Sequence, residues 1–242
     1  MKIISLVPSL TETLFDFGLT DEEVIGRTKF CIHPEDLVKN VAVIGGTKNL
    51  NIDKIKALKP DLIIANKEEN DKFQVEELMK DSNVWVTDIE TLEDNKQFLT
   101  ELGRILKMEE SARKFNEQID AVFSLNKTAE PKKVAYLIWK NPYMTVGSDT
   151  FIHEIIQELG FKNLFENHKR YPEISIEEMK NADFIFLSTE PFPFQQKHIE
   201  GLQKELPTQK IILADGEAFS WYGTHLAKCA DYYRTFQTEN FI

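Results

Sequence analysis

Cysteine is nearly missing from this chain. Its 242 residues hold two, Cys31 and Cys229, far apart and in no C-x-x-C pair. That count argues against a disulfide framework and does not fix the compartment. Basic residues are in deficit, 29 Lys and Arg against 40 Asp and Glu, for a net charge of −11. Acids are spread along the whole chain, so there is no concentrated basic surface of the kind nucleic acid needs. No apolar run approaches the roughly 20 residues that cross a bilayer. Met1 leads almost directly into Ile3–Val7, with no basic n-region, apolar h-region or small-residue cleavage site. As written, the sequence predicts a cytoplasmic protein; a leader missing before Met1 is the alternative, and makes it periplasmic.

Catalytic signatures are absent as well. There is no G-x-S-x-G elbow, and no P-loop or G-x-G-x-x-G follows a strand. The five histidines show no metal-ligand spacing. His153, His168 and His198 read as surface or packing residues. His33 and His225 read as structural before they read as ligands of a metal or a carboxylate. An enzyme built here would have to draw on Glu68, Glu190, Asp215 and His225, and the expectation is that the protein is not one.

What is present is alternation. Lys2–Val7 is a short apolar run, hence a buried strand, and Ser9-Leu10-Thr11-Glu12 reads as a capping box opening a helix to Phe17. Strands follow at Val24–Gly26, Val41–Ile44, Asp61–Ala65 and Val84–Thr87. Helices are expected from Asn51 to Pro60, from Asp71 to about Lys80, and from Glu93 to Leu106. Beyond Lys133 the pattern returns, with strands at Lys133–Ile138, Asp183–Leu187 and Ile211–Leu213. Its helices are Thr150–Leu159, Ile176–Lys180 and His225 to about Phe236. Strands alternating with helices mean parallel β-α units.

Between the two stretches lies Glu109 to Lys127, free of Gly and Pro. Ala112, Phe115, Ile119, Val122 and Phe123 recur on one helical face, and Glu109–Arg113 and Glu110–Lys114 are i,i+4 pairs with the acid first. Ala129-Glu130-Pro131 stops the helix. Read alone, it could be a covering helix of a single domain. The flanking halves match, however. Phe17-Gly18-Leu19 corresponds to Leu159-Gly160-Phe161. Asn51-Ile52…Pro60-Asp61-Leu62 corresponds to Ser175-Ile176…Ala182-Asp183-Phe184, and Val84–Asp88 to Ile211–Asp215. Matches in one order point to a duplication. The predicted architecture is α/β: a lobe at 1–107, a bridging helix at 108–128 and a second lobe at 129–242. Phe115, Ile119 and Phe123 are expected to pack against both lobes.

Ligands of open parallel sheets sit beyond the carboxyl ends of the strands, and pockets favour domain junctions. The candidate binding residues are therefore those that follow the strands. In the first lobe they are Pro8, Ser9, Phe30, Cys31, Lys48, Asn66 and Lys67; Cys31 could ligate a soft metal but reads first as a small buried residue. In the second they are Trp139, Tyr143, Glu190, Phe192, Phe194, Trp221 and Tyr222. Trp85, on a strand, reads as core. The others are aromatics in loops, where they line pockets more often than cores, and the set suits a large, flat, partly apolar ligand.

Leu6-Val7-Pro8-Ser9, Leu58-Lys59-Pro60-Asp61-Leu62-Ile63-Ile64-Ala65 and Gly160-Phe161-Lys162-Asn163-Leu164-Phe165 resemble the substrate-binding proteins of ABC importers for cobalamin, haem and iron–siderophore chelates. Trp139–Gly147, Ser188–Phe194 and Phe219–Gly223 resemble the cobalamin-binding branch. The resemblance implies two Rossmann-like lobes with parallel sheets bridged by one long helix, and a chelate held in the cleft between them. It implies a non-enzymatic monomer with no resident cofactor, any cobalt or iron arriving within the ligand, and an ABC permease as partner; the alternative is a cytoplasmic corrinoid or metal-chelate binding protein without a permease. Two departures stand out. Positions that are aromatic in cobalamin binders are Asn66 and Thr47 here. Of the two acids that such receptors present to a permease, Glu68, Glu69 or Asp71 could be the first, while the second falls at Ser220, with Glu217 nearby.

Overall fold

The computed structural model describes residues 1–124 and 130–241. It divides into two compact units. The first comprises Met1–Ile89, Glu93–Glu117 and Tyr222–Ala227; the second comprises Glu90–Leu92, Gln118–Trp221 and Lys228–Ile242.

The first unit is built from β1 (Ile3–Ser5), α1 (Pro8–Asp16), β2 (Val24–Arg27), α2 (Glu35–Val38), β3 (Ala42–Val43), β4 (Gly45–Gly46), β5 (Asn49–Leu50), α3 (Ile52–Leu58), β6 (Leu62–Asn66), α4 (Lys72–Met79), β7 (Val84–Thr87), α5 (Leu92–Leu106) and the start of α6 (Glu109–Phe123). Its main sheet has five strands in the order β3-β2-β1-β6-β7, and every pairing is parallel. β1 and β6 are buried along their whole length, as parallel strands covered on both faces must be. Ile4, Leu6, Ile63 and Ala65 form one core with Ile44, Ile55, Val75 and Leu78.

The second unit holds β8 (Lys133–Leu137), β9 (Tyr143–Met144), α7 (Phe151–Glu158), β10 (Lys162–Asn163), β11 (Glu173–Ile174), α8 (Ile176–Met179), β12 (Phe184–Ser188), α9 (Gln196–Gln203), β13 (Lys210–Ala214), α10 (Gly216–Ser220) and α12 (Ala230–Phe241), with α11 (His225–Lys228) entering it only at Lys228. Its main sheet runs β10-β8-β12-β13, again all parallel. Ala135, Leu137, Ile185 and Leu187 pack with Met179, Leu202 and Leu206.

The duplicated residues do the same work twice. Asp61 Oδ2 accepts from the Lys2 backbone N–H at 2.7 Å, and Asp183 Oδ2 from that of Lys133 at 2.8 Å. Each aspartate thus ties the start of one central strand to its neighbour. Asn51 and Ser175 cap α3 and α8 by accepting from Lys54 N and Glu178 N. Gly18 and Gly160 both end a helix at positive φ, +94° and +80°, the left-handed region that a side chain disfavours. Leu19 and Phe161 then donate back to the carbonyls of Leu14 and Ile156.

Three local expectations fail. The capping box at Ser9 and Glu12 is not formed: Val7 is the cap residue, without a side-chain bond, and Pro8 occupies the first turn. Proline fits there because its missing N–H has no helical partner to lose. Ser9 therefore falls inside α1, and the Glu12 carboxylate turns to His225. The terminal helix is broken at Cys229 into α11 and α12. In α6, Arg113 bonds Glu110 and Glu117 rather than pairing with Glu109, although Lys114 does approach Glu110 at 3.9 Å. The described helix ends at Phe123, and the expected extension through Lys127 lies outside the described residues. Along α6, Phe115 packs on Phe17 in the first unit at 5.4 Å, and Phe123 on Tyr233 in the second at 5.3 Å.

The Gly160–Phe165 motif has a physical basis. Asn163 is fully buried. Its amide donates to Val146 O at 2.9 Å and to His153 Nδ1 at 3.1 Å, and its Oδ1 accepts from Phe165 N at 3.0 Å. An amide N–H2 can only donate, so Nδ1 must accept and the His153 ring is neutral. Burial holds the His153 pKa below its ordinary value. The unfolded chain therefore takes up this proton first, and stability is full above about pH 6.5 and declines as pH drops from there towards the folded-state value. Urea melts at pH 7.5 and 5.5 are expected to show this acid-side loss in the wild type. His153→Gln, which accepts a hydrogen bond but does not titrate, should show a smaller one.

Candidate functional site

Polar groups excluded from the sheet interiors collect at the carboxyl ends of the strands. In the first unit, β6 ends in Asn66, which is buried. Its amide donates to Thr87 O and Oγ1 at the end of β7, each at 3.2 Å, while its Oδ1 accepts from Glu68 N and Glu69 N. Asn70 donates to Leu6 O and Thr47 O, both at 3.1 Å. It thereby links the end of β1 to the turn between β4 and β5. Lys48 Nζ donates to Glu68 O at 2.5 Å, and Lys67 pairs with Asp88. Pro8 and Ser9 open α1 at the same end. Ser9 is buried, and its carbonyl accepts from Thr13 Oγ1 at 2.9 Å.

Cys31 has no exposed surface, and its sulfur lies 3.0 Å from Thr11 Oγ1 and 3.2 Å from Thr28 Oγ1. Burial pushes the thiol pKa up, so the group stays protonated and inert. Its neighbour Phe30 is half exposed, with Lys29 Nζ 4.9 Å above its ring. The first unit thus gathers its candidates at one end, but Phe30, Lys48 and Lys67 reach solvent while Ser9, Cys31 and Asn66 face inward.

In the second unit the corresponding end is organised around Glu190, two residues beyond β12. Its Oε1 accepts from Ser220 Oγ and from Trp221 Nε1, both at 3.0 Å. Ser188 Oγ, itself bonded by the buried Tyr136 hydroxyl at 3.0 Å, donates to Glu190 O. Gly216 makes this packing possible: a Cβ there would stand 2.3 Å from Glu190 Cγ and 2.7 Å from its N. Burial raises the Glu190 pKa, and the negative charges of Glu217 and Asp215 raise it further, against the lowering effect of the Ser220 and Trp221 hydrogen bonds. Trp139 is 41% exposed and packs edge-on against Phe192 at 5.7 Å. Tyr143 and Phe192 are half-buried against the core.

Loop position was a poor guide to exposure for three aromatics. Phe194 belongs to the core of the second unit, against Phe192 and His198. Trp221 is buried with its indole N–H spent on Glu190. Tyr222 is buried in the first unit.

The segment from Tyr222 to Ala227 carries contacts that sequence reading missed. Gly223 N donates to Asn95 Oδ1 at 2.6 Å, and Thr224 N to Thr13 Oγ1 at 3.1 Å. Thr224 Oγ1 donates to Asp16 Oδ2 at 2.5 Å, and His225 Nδ1 lies 2.8 Å from Glu12 Oε2. These partners are some 200 residues apart in sequence, and no local pattern signals them. His225 is thereby engaged with α1, as the structural reading expected. Asp215 caps α10 by accepting from Glu217 N at 3.1 Å. Among the described residues no three His, Cys, Asp or Glu side chains gather as a metal site.

A family model described as "Periplasmic binding protein" matches residues 3–210. The chain belongs to the periplasmic binding protein family. A vitamin B12-binding protein of Vibrio parahaemolyticus is 27% identical over 195 residues, covering 77% of this chain and 70% of that protein. One from Salmonella typhimurium is 26% identical over 185 residues, covering 74% and 68%. The fold of this periplasmic binding protein is shared with the periplasmic vitamin B12 binding protein BtuF of Vibrio cholerae, at TM-score 0.78 and 19% identity over 98% of this chain and 96% of that one. It is shared equally with the periplasmic heme binding protein HutB of Vibrio cholerae, at TM-score 0.80 and 20% identity over 100% and 99%. The α/β architecture with parallel sheets read from the sequence is therefore that of these receptors.

The side chains of Glu12 and His225 are 7% and 13% exposed, so solvent cannot readily replace their bond. His225→Ala is expected to lower unfolding free energy by about 1–3 kcal/mol, read from denaturant melts, whereas Lys39→Ala, at an exposed ion pair, should change it by less than about 0.5 kcal/mol.

Proposed function

We propose that this chain is a non-enzymatic solute-binding protein that takes up a corrinoid or another metal chelate, such as haem or an iron–siderophore, and presents it to an ABC-type permease as a monomer. The observation that carries this reading is the exposed Trp139, backed by Phe192, at the carboxyl end of a parallel sheet whose neighbouring strand is followed by the Glu190 carboxylate. An aromatic face with a polar rim suits a flat ligand that is apolar across its ring and polar at its edge. The vitamin B12-binding and heme binding relatives support the same ligand class. In the Glu190 cluster the serine and the indole both donate to one carboxylate oxygen, which positions an acceptor. Any metal would come with the ligand.

Tryptophan fluorescence titrated with cobalamin, haem and ferric siderophores tests this. One class should quench the signal saturably at one ligand per chain, and Trp139→Ala should weaken that binding about tenfold. A flat response to all three would remove the reading.

A further inference from the structure

The second unit offers more than an aromatic face, because Glu190 is held as an acceptor with one oxygen to spare. Oε1 is occupied by Ser220 and Trp221. Among the described residues nothing donates to Oε2, yet it is not among their buried unsatisfied atoms, so it keeps some surface open. Backbone and side chain are both fixed, through Ser188 Oγ on the Glu190 carbonyl and the close approach of Gly216. Among the described residues no Lys, Arg or His forms an ion pair with it. The charges bearing on Glu190 are those of Glu217 and Asp215, while Lys140 and Lys197 bear on His198.

We propose that Glu190 selects chelates rimmed with carboxamide N–H donors, as a corrinoid is, over chelates rimmed with carboxylates, as haem is. This inference rests on the reading of the chain as a chelate-binding protein. A carboxamide N–H meeting Oε2 forms a charge-assisted hydrogen bond. A ligand carboxylate in that place meets a fixed acceptor of its own sign and must take up a proton or withdraw. The discrimination is therefore built from a repulsion as much as from an attraction. Trp139 and Phe192 grip either kind of ring and do not distinguish them; the rim does.

The test compares dicyanocobinamide with cobyrinic acid, which keeps the corrin ring but carries carboxylates at its edge, and with haem, all by tryptophan fluorescence at pH 7.5. The wild type is expected to favour dicyanocobinamide by about tenfold or more. Glu190→Gln keeps an oxygen for Ser220 and Trp221 while removing the charge, and should narrow that ratio several-fold. Ser220→Ala, which loosens the carboxylate without touching its charge, should narrow it less. Equal affinity of the wild type for the two corrinoids, or a ratio that Glu190→Gln leaves unchanged, would overturn the proposal. Tight binding of haem without binding of dicyanocobinamide would overturn it while leaving the chelate-binding reading intact. Failure to bind any chelate would remove both.

Discussion

Burial of parallel strands on both faces governs this molecule. β1 and β6 in one unit, and β12 in the other, have no solvent-facing side, so their side chains must be apolar and their main chains fully paired. Polar chemistry is displaced to the strand ends. At the amino ends it becomes structural: Asp61 and Asp183 lock neighbouring strands through the backbone N–H of Lys2 and Lys133. At the carboxyl ends it orders the loops. Asn66, Asn70 and Thr87 fasten the loops of the first unit, and Ser188, Ser220 and Trp221 fix Glu190 in the second.

The two ends differ in what they leave exposed. The first unit offers Phe30 under Lys29, and Lys48 and Lys67 tethered to a carbonyl and a carboxylate. The second offers the exposed Trp139, backed by Phe192, and the Glu190 carboxylate held by Ser220 and Trp221. Where binding proteins for cobalamin were expected to place aromatics, this chain has Asn66 and Thr47, and both are spent on loop architecture: the Asn66 amide on Thr87 and the Thr47 carbonyl on Asn70. On the proposed reading, the aromatic contact with a flat ligand falls to Trp139 and its neighbours.

How much of this was legible in the sequence follows from the range of each interaction. Apolar runs such as Leu62–Ala65 and Phe184–Leu187 announce buried strands, because a two-sided core permits little else. Asn51 and Ser175 announce caps, since the bond closes within three residues. The paired aspartates were visible as a repeat before their bonds were known. Side-chain exposure in loops was not legible. Phe194 and Trp221 follow strands among prolines and glycines, yet one joins the core and the other caps a carboxylate. The Ser9 box failed because Pro8 and the distant His225 competed for the same turn. Glu12 and His225 are brought together only by the fold.

The central claim is that the chain carries a metal chelate. Native mass spectrometry with metal analysis, on protein isolated from its own host and again after incubation with cobinamide, haem and ferric siderophore, tests it most directly. The account predicts a single adduct per chain, with cobalt or iron in equal proportion to protein. A metal-free spectrum that remains unliganded at saturating concentrations of all three would contradict it.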